Sequence, residues 1–211
     1  TGNHEFKDVS DIANVSDYGF AWGCVMEDIN LDGYQDIIFA QNYIDFPKTL
    51  KGVVLMNQKN GTFKRVDALE NPEFGHTPLF VDFEGEGFKD MIWVNMHGPI
   101  YGYKIDNKEG NNYISIRLPD SVKYLNATVK LHYKENGKDM IQMRQNIIGG
   151  IGFGSDQSHI MTFGLGKNNE VDKLTIETLY GNKQTINKRQ INSIIKISDK
   201  VKKDNHVRFK E

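Results

Sequence analysis

Short runs of β-branched and aromatic residues recur along the whole chain, each closed by a turn signal. Asp36-Ile37-Ile38-Phe39, Val53-Val54-Leu55-Met56, Asp90-Met91-Ile92-Trp93-Val94, Tyr113-Ile114-Ser115-Ile116 and Thr128-Val129-Lys130-Leu131-His132-Tyr133 are the clearest. This texture suits half-buried pleated strands and predicts an all-β protein, with no long amphipathic helix. Asn60-Gly61, Asn136-Gly137 and Gly181-Asn182 supply residues that tolerate positive φ, and each predicts a hairpin.

The chain also resembles itself. Met26-Glu27-Asp28-Ile29-Asn30-Leu31-Asp32-Gly33-Tyr34-Gln35-Asp36-Ile37-Ile38 recurs as Phe80-Val81-Asp82-Phe83-Glu84-Gly85-Glu86-Gly87-Phe88-Lys89-Asp90-Met91-Ile92. The offset is somewhat longer than a four-stranded propeller blade of roughly 40–50 residues. One blade with an insertion near 42–51 accounts for it, so a propeller is the leading repeat architecture. The repeat ends near residue 107. Asp106-Asn107-Lys108-Glu109-Gly110-Asn111-Asn112 reads as a polar linker, and a second unit is expected over 112–198, with a charged tail at 199–211.

Within the repeat, Asp28, Asn30, Asp32, Gly33 and Asp36 place hard oxygen donors at alternate positions around a glycine bend. Calcium takes 6 to 8 oxygen ligands, so this donor set points to Ca²⁺ rather than to the stricter octahedron of Mg²⁺. The expected ligands are the side chains of Asp28, Asn30, Asp32 and Asp36, with the carbonyl of Tyr34. An EF-hand is excluded, because the twelfth position from Asp28 is Phe39. Unscreened, carboxylates 4 Å apart repel by about 4 kcal/mol per pair at an effective dielectric near 20, so a cation should stabilise the loop. The second copy offers Asp82, Glu84, Glu86, Phe88 and Asp90 as a second candidate site, in which two longer Glu arms replace the shorter donors. A polar Asx turn without metal is the alternative at either loop.

Composition narrows the classes further. Among 211 residues, 26 Lys and Arg stand against 28 Asp and Glu, a formal net charge of −2, so no field of one sign favours nucleic acid or an anionic membrane. No apolar run approaches the ~20 residues that span a bilayer, so no membrane insertion is expected. Cys24 is alone, which excludes an intramolecular disulfide and a CxxC metal or redox site; its apolar neighbours predict a packed position. Ser155, Asp156 and His159 lie close together, but no nucleophile elbow surrounds the serine, and the segment reads as a loop. Gly149-Gly150-Ile151-Gly152-Phe153-Gly154 lacks a phosphate-loop ending and reads as a turn. The histidines lack zinc spacing. Trp22, Tyr18, Phe20, Trp93 and Tyr101 are expected mainly in the core. Asn14, Asn60 and Asn126 begin Asn-x-Ser/Thr acceptor patterns.

The two acidic loops, together with Tyr18-Gly19-Phe20-Ala21-Trp22-Gly23 before the first and Asn57-Gln58-Lys59-Asn60-Gly61-Thr62-Phe63 after it, resemble FG-GAP (VCBS) repeats of integrin-like propellers. Ala127-Thr128-Val129-Lys130-Leu131, Gly149-Gly150-Ile151-Gly152, Thr162-Phe163-Gly164-Leu165-Gly166 and Val171-Asp172-Lys173-Leu174-Thr175-Ile176 resemble the ASPIC/UnbV domain that follows such repeats in the cartilage acidic protein and UnbV-like family. The chain departs from that family at Leu179-Tyr180-Gly181, where a Trp usually precedes the turn. The resemblance implies about two blades of a β-propeller over 1–107, the C-terminal part of a larger propeller, and then a small β-sandwich or barrel-like domain. It also implies an extracellular or periplasmic setting and a calcium-binding, non-catalytic module of adhesion type that presents a surface to a protein or glycan. An enzyme or biosynthetic accessory role and a purely structural cap are the alternatives; fold alone does not choose among them.

Overall fold

The structure, a computed structural model, describes residues 5–41, 50–147, 149–187 and 190–198. Most of the 42–51 insertion and the 199–211 tail lie outside them. The described residues are almost wholly strand and turn.

In the N-terminal half, β1 (Ala21–Glu27), β2 (Asp36–Gln41), β3 (Val53–Asn57) and β4 (Phe63–Arg65) form an antiparallel meander. β5 (Gly75–Val81), β6 (Asp90–Asn95) and β7 (Tyr101–Tyr103) form a second one. Both begin with the same device, a long acidic loop closed by one backbone pair: Glu27↔Asp36 in the first and Val81↔Asp90 in the second. The two sheets share a core that includes Val25, Ile38, Val54, Phe80, Met91 and Trp93. Alternation along the strands sends these side chains inward. The Trp93 indole N–H is satisfied by the Leu69 carbonyl at 2.9 Å.

The C-terminal half contains β8 (Asn112–Arg117), β9 (Thr128–Glu135), β10 (Lys138–Gln145), β11 (Ile160–Gly166), β12 (Lys173–Glu177), β13 (Lys183–Asn187) and β14 (Ile194–Lys196). They assemble as an open sheet ordered β10-β9-β12-β13 and a smaller one ordered β11-β8-β14, in which β14 runs parallel to β8. One apolar core drawn from both sheets, with Val129, Leu131, Leu174 and Ile176 meeting Ile114, Ile116 and Phe163, makes the unit a two-layer sandwich rather than a closed barrel. Asn136 and Gly137, at φ +50° and +76°, form the two-residue turn between β9 and β10.

β8 is buried on both faces. Ile114 and Ile116 enter the sandwich core, while Tyr113 and Ser115 face the N-terminal half. β11 likewise points Phe163 and Leu165 inward and turns Gly164 toward the first acidic loop. This outer face of the smaller sheet is where the two halves meet.

Two expectations fail here. Cys24 is exposed, because it lies on the open face of β1, where it alternates with the buried Gly23 and Val25. Phe20 and Trp22 are also partly open, at 41% and 38% exposure, instead of packing in the core as Trp93 does. Trp22 stacks in a tilted contact on Phe153 (4.7 Å between centroids), and Phe153 meets His76 edge-on at 5.0 Å, giving a surface strip of rings.

Candidate functional site

The first loop folds around its own carboxylates. Asp28 accepts the Asp32 and Gly33 backbone N–H groups at 3.0 and 2.9 Å, one on each oxygen. Asp36 accepts the Ile29 N–H at 3.0 Å and the Asn57 N–H at 2.8 Å, tying the loop's entrance to β3. Asp32 accepts the Tyr34 N–H at 3.0 Å on one oxygen; the other receives the Asn30 amide at 3.1 Å and lies 3.2 Å from the Lys59 ammonium. Asn57 also donates its amide to the Gln35 carbonyl at 3.0 Å. The Asn57–Phe63 turn segment therefore belongs physically with the loop that precedes it.

The second loop repeats the bracing. Asp82 accepts the Glu86 and Gly87 N–H groups at 2.9 and 2.8 Å, and Asp90 accepts those of Phe83 and Ile105 at 3.2 and 3.0 Å. The intermediate donors differ. Glu84 is exposed and held by Lys104 at 2.6 Å, Glu86 is exposed, and Phe88 packs edge-on against Tyr113.

Both loops are docked on the C-terminal domain, the second on its smaller sheet and the first where β11 of that sheet adjoins β9 and β10 of the larger one. Gly33 and Gly87 hold positive φ (+95° and +97°) and bring their backbones against that domain. Around Gly33 stand the Gln142 amide, the Gly164 carbonyl and the Tyr133 hydroxyl; around Gly87 stand Tyr113 and Ile194. The Glu86 and Gly87 carbonyls accept the Tyr113 and Ser115 hydroxyls. The Leu31 carbonyl accepts the Gly166 N–H at 2.9 Å, and the Asn111 amide of the linker donates to the Asn30 carbonyl at 2.8 Å.

This docking shuts the first loop's acids away from water: Asp28, Asp32 and Asp36 retain 3%, 8% and 1% exposure. Burial pushes the Asp28 carboxyl up to about 7, against the opposing N–H of Gly33, and the Asp32 charge raises it further. Asp36 is pushed up to about 7 in the same way, again mainly by desolvation, with Asn57 and Ile29 opposing and the charges of Asp28 and Asp32 adding to the rise. Among the described residues, no three His, Cys, Asp or Glu side chains converge as a metal-holding group. The first loop nevertheless suits a hard cation in kind. Its donors are all oxygens, its three acids are offset in part by the half-exposed Lys59, 3.2 Å from Asp32, and by the Arg144 charge acting on Asp28, and a carboxylate oxygen that accepts one N–H keeps a further lone pair.

Sequence reasoning missed Lys59, Tyr133, Gln142 and Arg144 around this loop. Only Lys59 had a local signal, its place in the turn after β3. The others come from β9 and β10, and no nearby motif announces them. Elsewhere, Ser155 donates to the Ile151 carbonyl at 2.9 Å, and the His159 ring lies 3.1 Å from Asp156, so serine and histidine are not bonded as nucleophile and base.

Fold and site together define an all-β protein in which two repeated acidic-loop sheets are clasped by a two-layer β-domain. Residues 122–204 match the family model described as ASPIC and UnbV, so the C-terminal unit is similar to that domain; the match begins after β8, although β8 is the middle strand of the smaller sheet. No curated protein matches the chain.

Proposed function

We propose that the chain is a calcium-stabilised, non-catalytic binding module of an exported protein, built from FG-GAP-type propeller blades and an ASPIC/UnbV-type domain. The observation that carries this reading is the enclosure of Asp28, Asp32 and Asp36 in one loop between the two halves. Three buried carboxylates in a loop of oxygen donors are costly without a cation. Asp28, Asn30, Asp32 and Asp36, with the Tyr34 carbonyl, would hold Ca²⁺, which supplies the missing positive charge. The second loop, whose Glu84 is turned to Lys104, is held by protein groups. Extracellular calcium sites of ~10⁻⁴–10⁻³ M affinity are sufficient for such a role. The ring strip of Phe20, Trp22, Phe153 and His76 is the surface offered to a protein or glycan partner.

Calorimetric titration of EDTA-stripped protein should give one calcium per chain and a raised melting temperature in calcium but not in magnesium, both lost in Asp32→Ala. Absence of binding and of any shift in the parent protein would overturn the reading. A second reading, in which the C-terminal domain is a purely structural cap, is favoured by the docking of both loops on β8 and β11. It requires the same melting temperature with and without calcium.

A further inference from the structure

The turn after β3 carries a cation to the first acidic loop. Lys59, at φ +63°, donates its backbone N–H to the Asn57 side-chain oxygen at 2.9 Å. Asn57 is itself fixed to the loop, since its N–H goes to Asp36 and its amide to the Gln35 carbonyl. The lysine is thus anchored at its root, and its ammonium stands 3.2 Å from Asp32 Oδ2 and 5.5 Å from the centre of the Tyr34 ring. The second loop shows a similar placement: Lys104, directly after β7, reaches Glu84 at 2.6 Å.

With that ammonium in place Asp32 has little left to offer. Each carboxylate oxygen carries two lone pairs. Oδ2 accepts the Asn30 amide at 3.1 Å as well as Lys59, which fills both, while Oδ1 accepts the Tyr34 N–H and keeps one. A cation bound through Oδ2 must displace a donor, and one bound through Oδ1 would share the carboxylate with the ammonium, where the two positive charges repel. Lys59 is the donor best able to leave. Asn30 is short and held inside the loop, its own oxygen accepting the Asp32 N–H at 3.3 Å, whereas the Lys59 side chain is long and 49% exposed. Lys59 also lines an opening of about 330 Å³ together with Glu109 and Glu135, so an ammonium that leaves Asp32 stays near carboxylates.

We propose, on the basis of the calcium reading above, that Lys59 is a built-in counter-cation of the first loop that competes with calcium for Asp32. Without metal it offsets part of the charge of the three acids and keeps the loop seated. Calcium binding displaces it toward Glu109 and Glu135. The competition lowers the loop's affinity, because calcium binds well only to the fraction of molecules in which the ammonium has moved away. Such a loop responds to calcium at a higher concentration than its oxygen donors alone would dictate, and keeps its fold when calcium is withdrawn.

The test combines calorimetric calcium titration with melting curves in EDTA, on the intact chain and on Lys59→Met and Lys59→Arg. The position is half-exposed, so neither substitution disturbs the core. Lys59→Met should bind calcium about three- to tenfold more tightly than the parent, since the competing charge is gone, and should melt lower in EDTA, since Asp32 has lost its partner. Lys59→Arg keeps the charge and should bind calcium no more tightly than the parent. Calcium binding by the parent with unchanged or weaker binding by Lys59→Met would make Lys59 a merely structural residue and overturn this proposal while leaving the calcium loop standing. Binding by Lys59→Met but not by the parent would uphold the competition and remove calcium from the parent protein. No calcium binding by either would overturn both.

Discussion

At Gly164 a single hydrogen decides whether the two halves can meet. A Cβ there would lie 2.2 Å from Asp28 Oδ2 and 2.4 Å from the Leu31 backbone carbon. Contacts below 3 Å with backbone cannot be relieved by rotating a side chain, so strand and loop must separate. Gly164→Ala should therefore cost about 1–3 kcal/mol, the range for forcing a methyl into a packed interior. Gly102 in β7 is the control: a Cβ there meets nothing within 4 Å and its φ is ordinary, so Gly102→Ala should stay within about 0.5 kcal/mol of the parent. Urea unfolding midpoints at constant slope measure both. A Gly164→Ala protein as stable as the parent would mean that the loop is not seated on β11 in solution.

At the scale of elements, the repeat was legible because its chemistry is local. An Asp that accepts two N–H groups four and five residues ahead, and a second Asp that reaches back to the loop entrance, need fixed spacing, and both loops keep it. The turn at Asn136-Gly137 was legible for the same reason. Contacts between the halves left no such mark. Ser115 reaches Gly87 and Gly166 reaches Leu31 across long stretches of chain, and nothing near either residue hints at the partner. Exposure was misread at Cys24 and Trp22 because apolar neighbours do not say which face of a strand is covered. The ion pair of Glu27, at the end of β1, with Lys89, in the second loop, is another such long contact, and its side chains are only 13% and 7% exposed. Lys89→Ala leaves Glu27 buried without a partner and should cost about 3–5 kcal/mol, whereas Glu27→Leu combined with Lys89→Met should cost much less, because both charges leave together. A double-mutant cycle in chemical denaturation checks this; equal losses in single and double variants would show that the pair is solvated.

For the whole molecule, closure of the seam and the charge state of the first loop are one equilibrium. Docking the C-terminal sheet removes water from Asp28 and Asp36 and lifts both carboxyls from 3.8 to about 7. Between those pH values the folded chain binds more protons at these groups than the unfolded chain does, so their linkage lowers stability as pH rises from about 4 to 7. Without metal, the melting temperature should fall across that window and level off above it. Calcium bound at the proposed site would favour the ionised carboxylates and release their protons, so saturating calcium should flatten or reverse the slope. Melting curves from pH 4.5 to 8 in EDTA and in excess calcium, with Asp28→Asn as control, measure the effect. The control removes one of the two groups and should reduce the slope in EDTA while weakening the response to calcium. A melting temperature in EDTA that rises steadily to pH 8 would show that these acids are hydrated in solution, and with that the enclosed loop would lose its claim to a cation.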